Sequence, residues 1–372
     1  MKLTIERSAL LRALGHVQNV VERRNTIPIL SNVQLVADEA GLSLTATDLD
    51  LAIVETVPCE VQTPGGTTAP AHILHDIVRK LPDGAQVELD YGTEDGRLVV
   101  RAARSKFALS CLPREDFPVM ADGDLPHQFV LPTADLQRLI EKTRFAISTE
   151  ETRYYLNGIY LHKADRDGVD VLRAVATDGH RLASVEAPLP AGSENMPGVI
   201  VPRKTVTELR KLIDESGDEV AISMSENKIR FSFDNAVLTS KLIDGTFPDY
   251  QRVIPSGNDK DMEVNCKLFS DAVDRVSAIS SEKSRAIKLV LTSGLLALSA
   301  SSPEHGSAEE EIEVTYEGDS VEIGFNSAYL LDITRQIEGD TALVSLADGN
   351  SPTILREMDD ASALYVIMPM RV

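Results

Sequence analysis

Apolar and polar residues alternate with period two in many short runs, as in "GLSLTATDLDLAIVETV" (41–57), "KIRFSFDNAVLTSKL" and "GLLALSAS", each bounded by Gly, Asn or Asp. Successive side chains on a strand face opposite ways, so these runs predict half-buried antiparallel strands closed by turns. Between them the period shifts towards that of an amphipathic helix. Helices are predicted over 8–24, 71–80, 132–144, 202–214, 268–285 and 326–336. The chain closes on "LYVIMPMRV", strand-like as far as Pro369, which cannot donate to a sheet ladder.

The same order of elements recurs three times. "KLTIERSALLRAL" from Lys2, "QFVLPTADLQRLI" from Gln128 and "MEVNCKLFSDAVDRV" from Met262 each read strand, then helix. A second helix follows a turn in each unit: "AHILHDIVRKLP", "PRKTVTELRKLID" and "NSAYLLDITRQ". "TDLDLAIVETVP" begins at Thr47 and "TDGHRLASVEAPL" at Thr177, while Phe117-Pro118 and Phe247-Pro248 stand at the same offset. Two anchors at one spacing imply an internal repeat. The expectation is an α+β fold of three repeated domains, each with two helices and antiparallel sheets, over residues 1–126, 127–257 and 258–372. The boundaries fall in the polar, turn-rich "ADGDLP" and "PSGNDKD".

Length, 372 residues with 43% hydrophobic and 26% charged, suits such a multidomain chain. Glu6 and Arg7 interrupt the first apolar stretch, so no signal peptide is expected, and no run reaches the length of a membrane span. Cys59, Cys111 and Cys266 are odd in number and far apart, which predicts free, buried thiols in a reducing cytoplasm rather than a disulfide framework or zinc site.

The formal net charge of -21 would by itself repel nucleic acid. The charge is unevenly placed, however. The six predicted helices hold 16 basic and 10 acidic residues, and the remainder 21 basic and 48 acidic. Repeats that set helices on one side and sheets on the other could thus close a curved array with a basic lining suited to a polyanion.

"TIPILSNV" from Thr26, "RYYLNGI" from Arg153, "ATDGHRLA" from Ala176, "VPRK" from Val201, "FPDYQRV" from Phe247, "IGFNSAYLLD" from Ile323 and the terminal "YVIMPMRV" carry a family likeness over the whole length. The chain resembles the beta subunit of bacterial DNA polymerase III, the sliding clamp. The resemblance implies a head-to-tail homodimer, a six-domain ring around duplex DNA, bound without regard to sequence. It also implies a processivity factor that tethers polymerases, with no catalysis and no cofactor. No GxxxxGK[ST], HExxH or GxSxG motif occurs in the sequence.

By resemblance, a partner-peptide pocket between the second and third domains maps onto Leu156, Thr177, Gly179, His180, Arg181, Leu182, Pro248, Arg252, Val253, Asn326, Tyr329, Val366, Met368, Pro369, Met370 and Arg371. Leu182 and Val253 would form its apolar floor, with Arg181 and Arg252 at the polar edge. Short linear motifs of the polymerase catalytic subunit, the clamp loader and repair polymerases are the implied occupants. Ser284 and Gln251 depart from side chains common in the family, which bears on ligand preference. The DNA face maps onto Arg24, Tyr154, Tyr155, Arg203 and Lys204, and the subunit interface sets Phe107 of one copy near Ile279 of the other. Two rival readings are a plain interaction scaffold and a hydrolase built on Asp178 and His180. The latter lacks a third group and an oxyanion donor at the level of sequence.

Overall fold

Backbone pairing over long distances in sequence shapes this protein more than any local element does. The structure is a computed structural model that describes all residues except 24–25, 93–95, 122, 216, 281–284 and 372. Its contacts divide into two compact units. One comprises residues 1–136, 190–197 and 204–242, and the other 137–189, 198–203 and 243–372.

In the first unit an antiparallel sheet of five strands runs in the order Glu60–Thr63, Lys2–Glu6, Gln86–Gly92, Arg97–Ala102, Ser105–Ser110. A second sheet of eight strands begins with His127–Pro132, Glu219–Met224, Lys228–Ser232 and Ala236–Lys241, and continues through Leu51–Val57, Gly41–Thr47, Asn32–Asp38 and Gly65–Pro70. Its seam joins two sequence repeats, with Leu238 opposite Ile53. The second unit repeats the design. Val199–Pro202, Gly158–Arg166, Val169–Thr177 and Arg181–Pro188 continue through Ala363–Ile367, Thr353–Glu357, Thr341–Leu346 and Lys260–Asn265, with Leu182 opposite Val366 at the seam. A four-stranded sheet, Gly306–Glu313, Leu295–Ser302, Ala286–Thr292 and Val321–Asn326, completes that unit. The second repeat therefore lends four strands to each eight-stranded sheet.

Six α-helices lie among the described residues: α1 (Arg7–Gln18), α2 (Ala71–Lys80), α3 (Thr133–Arg144), α4 (Arg203–Ile213), α5 (Cys266–Ser277) and α6 (Ser327–Thr334). Helix α1 starts where the Glu6 carboxylate accepts the N–H groups of Ser8 (2.8 Å) and Ala9 (3.1 Å), filling two of the donors a helix start leaves open. It ends at Gln18 rather than near 24, because the Asn19 amide closes back on the Gly15 carbonyl (2.7 Å) and Val20 and Val21 continue in tighter turns. Helix α5 likewise ends at Ser277 rather than 285, after starting earlier, at the Asn265 cap on Leu268 N–H (3.0 Å). These shorter helices hold 13 basic and 7 acidic residues, so the basic excess of the helices survives the change in boundaries.

Helix α1 buries Leu10, Ala13, Leu14 and Val17 against α2 and the neighbouring sheet, each large aliphatic side chain contributing about 1.5–3 kcal/mol. Its fifth buried residue is His16. Nδ1 meets Glu55 Oε2 at 2.8 Å and Nε2 faces Glu215 at 3.6 Å, while Asn235 donates to the other Glu55 oxygen at 3.4 Å. Glu55 is 1% exposed, so this imidazole neutralises a buried carboxylate. Burial alone would lower the His16 pKa, but the Glu55 hydrogen bond and charge, then Glu215, outweigh it and raise the pKa above the usual histidine value.

The cysteines are free, but only Cys266 is buried; Cys59, in the link between strands Leu51–Val57 and Glu60–Thr63, and Cys111, directly after strand Ser105–Ser110, are half-buried. The expectation of three buried thiols is corrected accordingly. No described helix is long and apolar enough to cross a membrane.

Candidate functional site

The turn that links strands Val169–Thr177 and Arg181–Pro188 is built by its own side chains. Thr177 Oγ1 accepts Gly179 N–H (3.1 Å) and donates to the Arg181 carbonyl (2.7 Å), and Asp178 Oδ1 accepts the N–H groups of His180 (2.9 Å) and Arg181 (3.0 Å). Gly179 takes φ +87°, open to glycine, and a Cβ there would lie 2.5 Å from the Arg153 guanidinium. "TDLDL" in the first repeat makes the same bonds through Thr47 and Asp48, yet places Leu49 at φ +79°.

Beside this turn opens an apolar cleft of about 190 Å³, lined by residues of the second unit alone. Leu156, Leu182, Val366 and Tyr250 form its floor, all at most 5% exposed and packed in one cluster with Val175, Ile200, Phe247 and Ile354. The rim is different. Val253 is 47% and Met368 40% exposed, and Pro248 stands open beside them. Exposed apolar side chains around a dry floor are what a docking site for an apolar group requires.

The chain end is held at two points. Strand Ala363–Ile367 stops two residues before Pro369, and then Met368 N–H bonds the His180 carbonyl (2.9 Å) and Met370 N–H the Gly324 carbonyl (2.8 Å). Pro369, with no N–H, spans the gap between these bonds. The tail is thus one wall of the cleft, fastened to the turn that forms another.

Of the pocket residues expected from sequence, Leu156, Thr177, Gly179, Arg181, Leu182, Pro248, Val253, Val366 and Met368 come together here. Asp249 and Tyr250 also line the cleft and were not expected. Their signal lay in "FPDY", where they directly follow Pro248. The others lie outside the cleft lining. The His180 ring stacks on Tyr329, centroids 6.2 Å apart; Asn326 caps α6 through Ala328 N–H (3.0 Å); Pro369 and Met370 are half-buried, and Arg371 is exposed. Arg252 is exposed and pairs with Asp249 at 2.7 Å, while Gln251 is exposed beside it.

Arg181 stands among the lining residues with its charge already engaged. It acts as a strut: its guanidinium bonds Asp332 (2.6 Å), Asp178 (3.1 Å) and the Phe145 carbonyl (2.8 Å), and lies 4.4 Å from the Tyr329 ring centroid. Planar, multidentate contacts of this kind position a side chain rather than leave it for a ligand. Asp178, spent on the turn and on Arg181, is likewise committed, which removes the geometric basis for a hydrolase built on Asp178 and His180. Among the described residues no group of three or more His, Cys, Asp or Glu is placed to hold a metal.

Arg24 and Ser284 lie outside the described residues. Tyr154 is 52% exposed and meets Tyr155 edge-on, while Tyr155 is half-buried against the cleft cluster. Arg203 is exposed at the start of α4. Lys204 is bound to the Val20 carbonyl (3.0 Å), Asp48 (2.7 Å) and Glu22. Burial works to lower its pKa, but the hydrogen bonds to Asp48 and Glu22 prevail and raise it. Phe107 is 37% exposed on edge strand Ser105–Ser110, and Ile279 is half-buried just beyond α5.

Repeated strand–helix units that share sheets, beside an apolar cleft, are the architecture of a clamp-type protein. The DNA polymerase III beta subunit N-terminal, central and C-terminal domain families match residues 1–121, 130–249 and 251–371. The beta sliding clamp of Caulobacter vibrioides is 55% identical and that of Escherichia coli K12 40% identical, each alignment covering the whole of both chains. A crystal structure of the Caulobacter crescentus beta sliding clamp superimposes with a TM-score of 0.97 at 55% identity, over 100% of this chain and 99% of that one. A Bartonella birtlesii sliding clamp bound to griselimycin does so with a TM-score of 0.96 at 50% identity, over 100% of each. The chain belongs to the DNA polymerase III beta subunit family, the beta sliding clamps, non-catalytic processivity factors of DNA polymerase III.

Proposed function

We propose that two copies of this chain join head to tail as a ring of six domains, three from each copy over residues 1–126, 127–257 and 258–372, and that the ring encircles duplex DNA without regard to sequence. The apolar cleft then takes short linear motifs of the polymerase catalytic subunit, the clamp loader and repair polymerases. The cleft carries this reading, because a buried apolar floor under exposed Val253 and Met368 fits an apolar side chain of a peptide. Each Leu-sized anchor contributes about 1.5–3 kcal/mol, and two give affinities on the order of micromolar after ordering costs. Met368 and Met370, unbranched and polarizable, let one site fit several motifs. His180, Arg252, Asn326, Tyr329, Pro369, Met370 and Arg371 would extend contacts beyond the cleft.

Ring closure is supported by the free sheet edges. Strand Ser105–Ser110 carries Lys106 and Phe107 after Arg104, while strand Gly306–Glu313 carries Glu309, Glu311 and Glu313 on its exposed side. An unpaired edge is a template for another chain, and these two carry opposite charge. Phe107 and Ile279 would add apolar contact at the joint. Arg24, Tyr154, Tyr155, Arg203 and Lys204 are assigned to the DNA side, with Lys204 available only by exchanging its carboxylates for phosphate. A replication role supports a cytoplasmic location, and the reading calls for no cofactor.

Retention on DNA tests the ring. Phosphate contacts weaken steeply as salt rises, whereas a closed ring does not depend on them. After loading, the protein should stay on closed circular DNA in high salt and leave once the DNA is linearised. Equal loss from both forms would return the chain to a plain interaction scaffold.

A further inference from the structure

Tyr250 forms part of the cleft floor, but its hydroxyl points into a polar network behind that floor. His162 Nδ1 lies 2.7 Å from the Lys163 carbonyl and Nε2 lies 3.0 Å from the Tyr250 oxygen, which Arg173 Nη1 also meets at 3.0 Å. Donor and acceptor roles follow from what each group can do. A carbonyl only accepts, so Nδ1 carries the proton; Nε2 then accepts from Tyr250 O–H, and the phenol oxygen accepts from Arg173, which can only donate. Arg173 is itself held by Glu186 through Nε at 2.8 Å, and both side chains are 12% exposed. The rings of His162, Tyr160 and Phe247 form a stack, with centroid steps of 4.5 and 4.9 Å. Phe247 and Tyr250 both belong to the apolar cluster under the cleft.

We propose that His162 and Arg173 are positioning residues for the cleft: through the Tyr250 hydroxyl they hold its floor in the shape that accepts an apolar peptide anchor, and acid undoes that hold. The inference rests on the peptide-binding reading above. When His162 gains a proton, Nε2–H faces an oxygen already taken by Arg173, the phenol O–H loses its acceptor, and two cations stand side by side. The charged groups around the imidazole do not offset this. On its own strand stand Arg166 and, at odd spacing from His162 and so on the other face, Asp165 and Lys163, the last paired with Asp170; the next strand presents Arg173, and beyond it Glu186 is already shared by Arg173 and Arg166. Burial, working against the Lys163 carbonyl bond and joined by the Arg173 charge, holds His162 below the ordinary imidazole pKa. Neutral His162 is thus the resting form at neutral pH.

The test is titration of a short apolar motif peptide into the full-length protein at about pH 7.5 and about pH 5.5. A His180→Gln background removes the other imidazole near the cleft. In that background affinity should fall several-fold towards the acid condition, with a ceiling of roughly tenfold set by the ordinary imidazole pKa of about 6.5. Adding either His162→Gln or Tyr250→Phe should abolish the fall, whatever each does to affinity at neutral pH. Tyr250→Phe removes one oxygen and keeps the ring, so it guards against a folding defect in the first variant. A fall that persists in either variant overturns the inference and leaves the peptide reading standing. No binding to the unmodified protein at neutral pH overturns both.

Discussion

Leu49 and Gly179 hold the same place in two copies of one turn, and only one of them suits it. Both have strongly positive φ, where a Cβ costs about 1–2 kcal/mol. Leu49→Gly should therefore raise stability by roughly 0.5–1 kcal/mol in urea unfolding, because little packing is lost at a side chain 41% exposed. Gly179→Ala should lower it by about 1–2 kcal/mol and weaken peptide binding, since Arg153 must also yield. If Leu49→Gly destabilised the protein, the leucine would have a contact that the strain argument omits. The turn after Thr177 was legible from its Gly179, whereas the turn after Thr47 was not, because 41–57 reads as one alternating run. The commitments of Arg181 and Lys204 were not legible. Whether a charge is free or paired depends on carboxylates distant in the chain, such as Asp332 and Asp48.

At the scale of elements, α1 is held to its surroundings by an ionisable contact as well as by its apolar face. The raised pKa of His16 sets the sign: the pairing contributes fully below the unfolded-state value of about 6.5 and is lost as pH rises through the higher folded-state value. His16→Leu should cost about 3–5 kcal/mol at about pH 6, where it strands Glu55, and distinctly less at about pH 9. Urea unfolding of both proteins at the two pH values measures this. A cost independent of pH would mean that Glu55 draws nothing from the imidazolium charge. The terminal strand makes a second case. Deleting Met368 to Val372 leaves the pairing of Ala363–Ile367 intact but removes the Met368 wall, so peptide affinity should drop at least about tenfold, the loss of one buried Leu-sized contact. Calorimetric titration decides it, and unchanged affinity would reduce the chain end to a strand that merely stops. The helices were legible from their period, but α1 and α5 were read too long because Asn19 and the turns after Ser277 act through local hydrogen bonds, not through periodicity.

For the whole molecule, the predicted joint between copies is electrostatic at its rim. Lys106→Glu should shift the mass in solution from dimer towards monomer, more so at low salt, where like charges across the joint repel most. Mixing it with a Glu309→Lys, Glu311→Lys variant should restore a dimer in which the two altered edges meet at one joint and the two unaltered edges at the other. Sedimentation that shows no shift in the single variant would remove these edges from the joint. Two of the three repeats were legible from Thr-Asp and Phe-Pro at a common offset, and the third from its strand-then-helix opening at Met262. The two compact units were not, because the pairing of Leu238 with Ile53 and of Leu182 with Val366 is a choice of partner strand that no local pattern declares.

That choice of partner also sets a timetable for synthesis. Strand Arg181–Pro188 leaves the ribosome 175 residues ahead of Ala363 (363 − 188), the first residue of the strand that covers its edge. At roughly 5–20 residues per second, the second repeat waits about 9–35 seconds with a row of backbone donors and acceptors open. Its alternation is rich in Val, Ala and Leu, a composition prone to pair with whatever edge is near. On a crowded polysome the nearest such edge belongs to the next copy of the same nascent chain, so the delay exposes every round of translation to exchange of strands between neighbours.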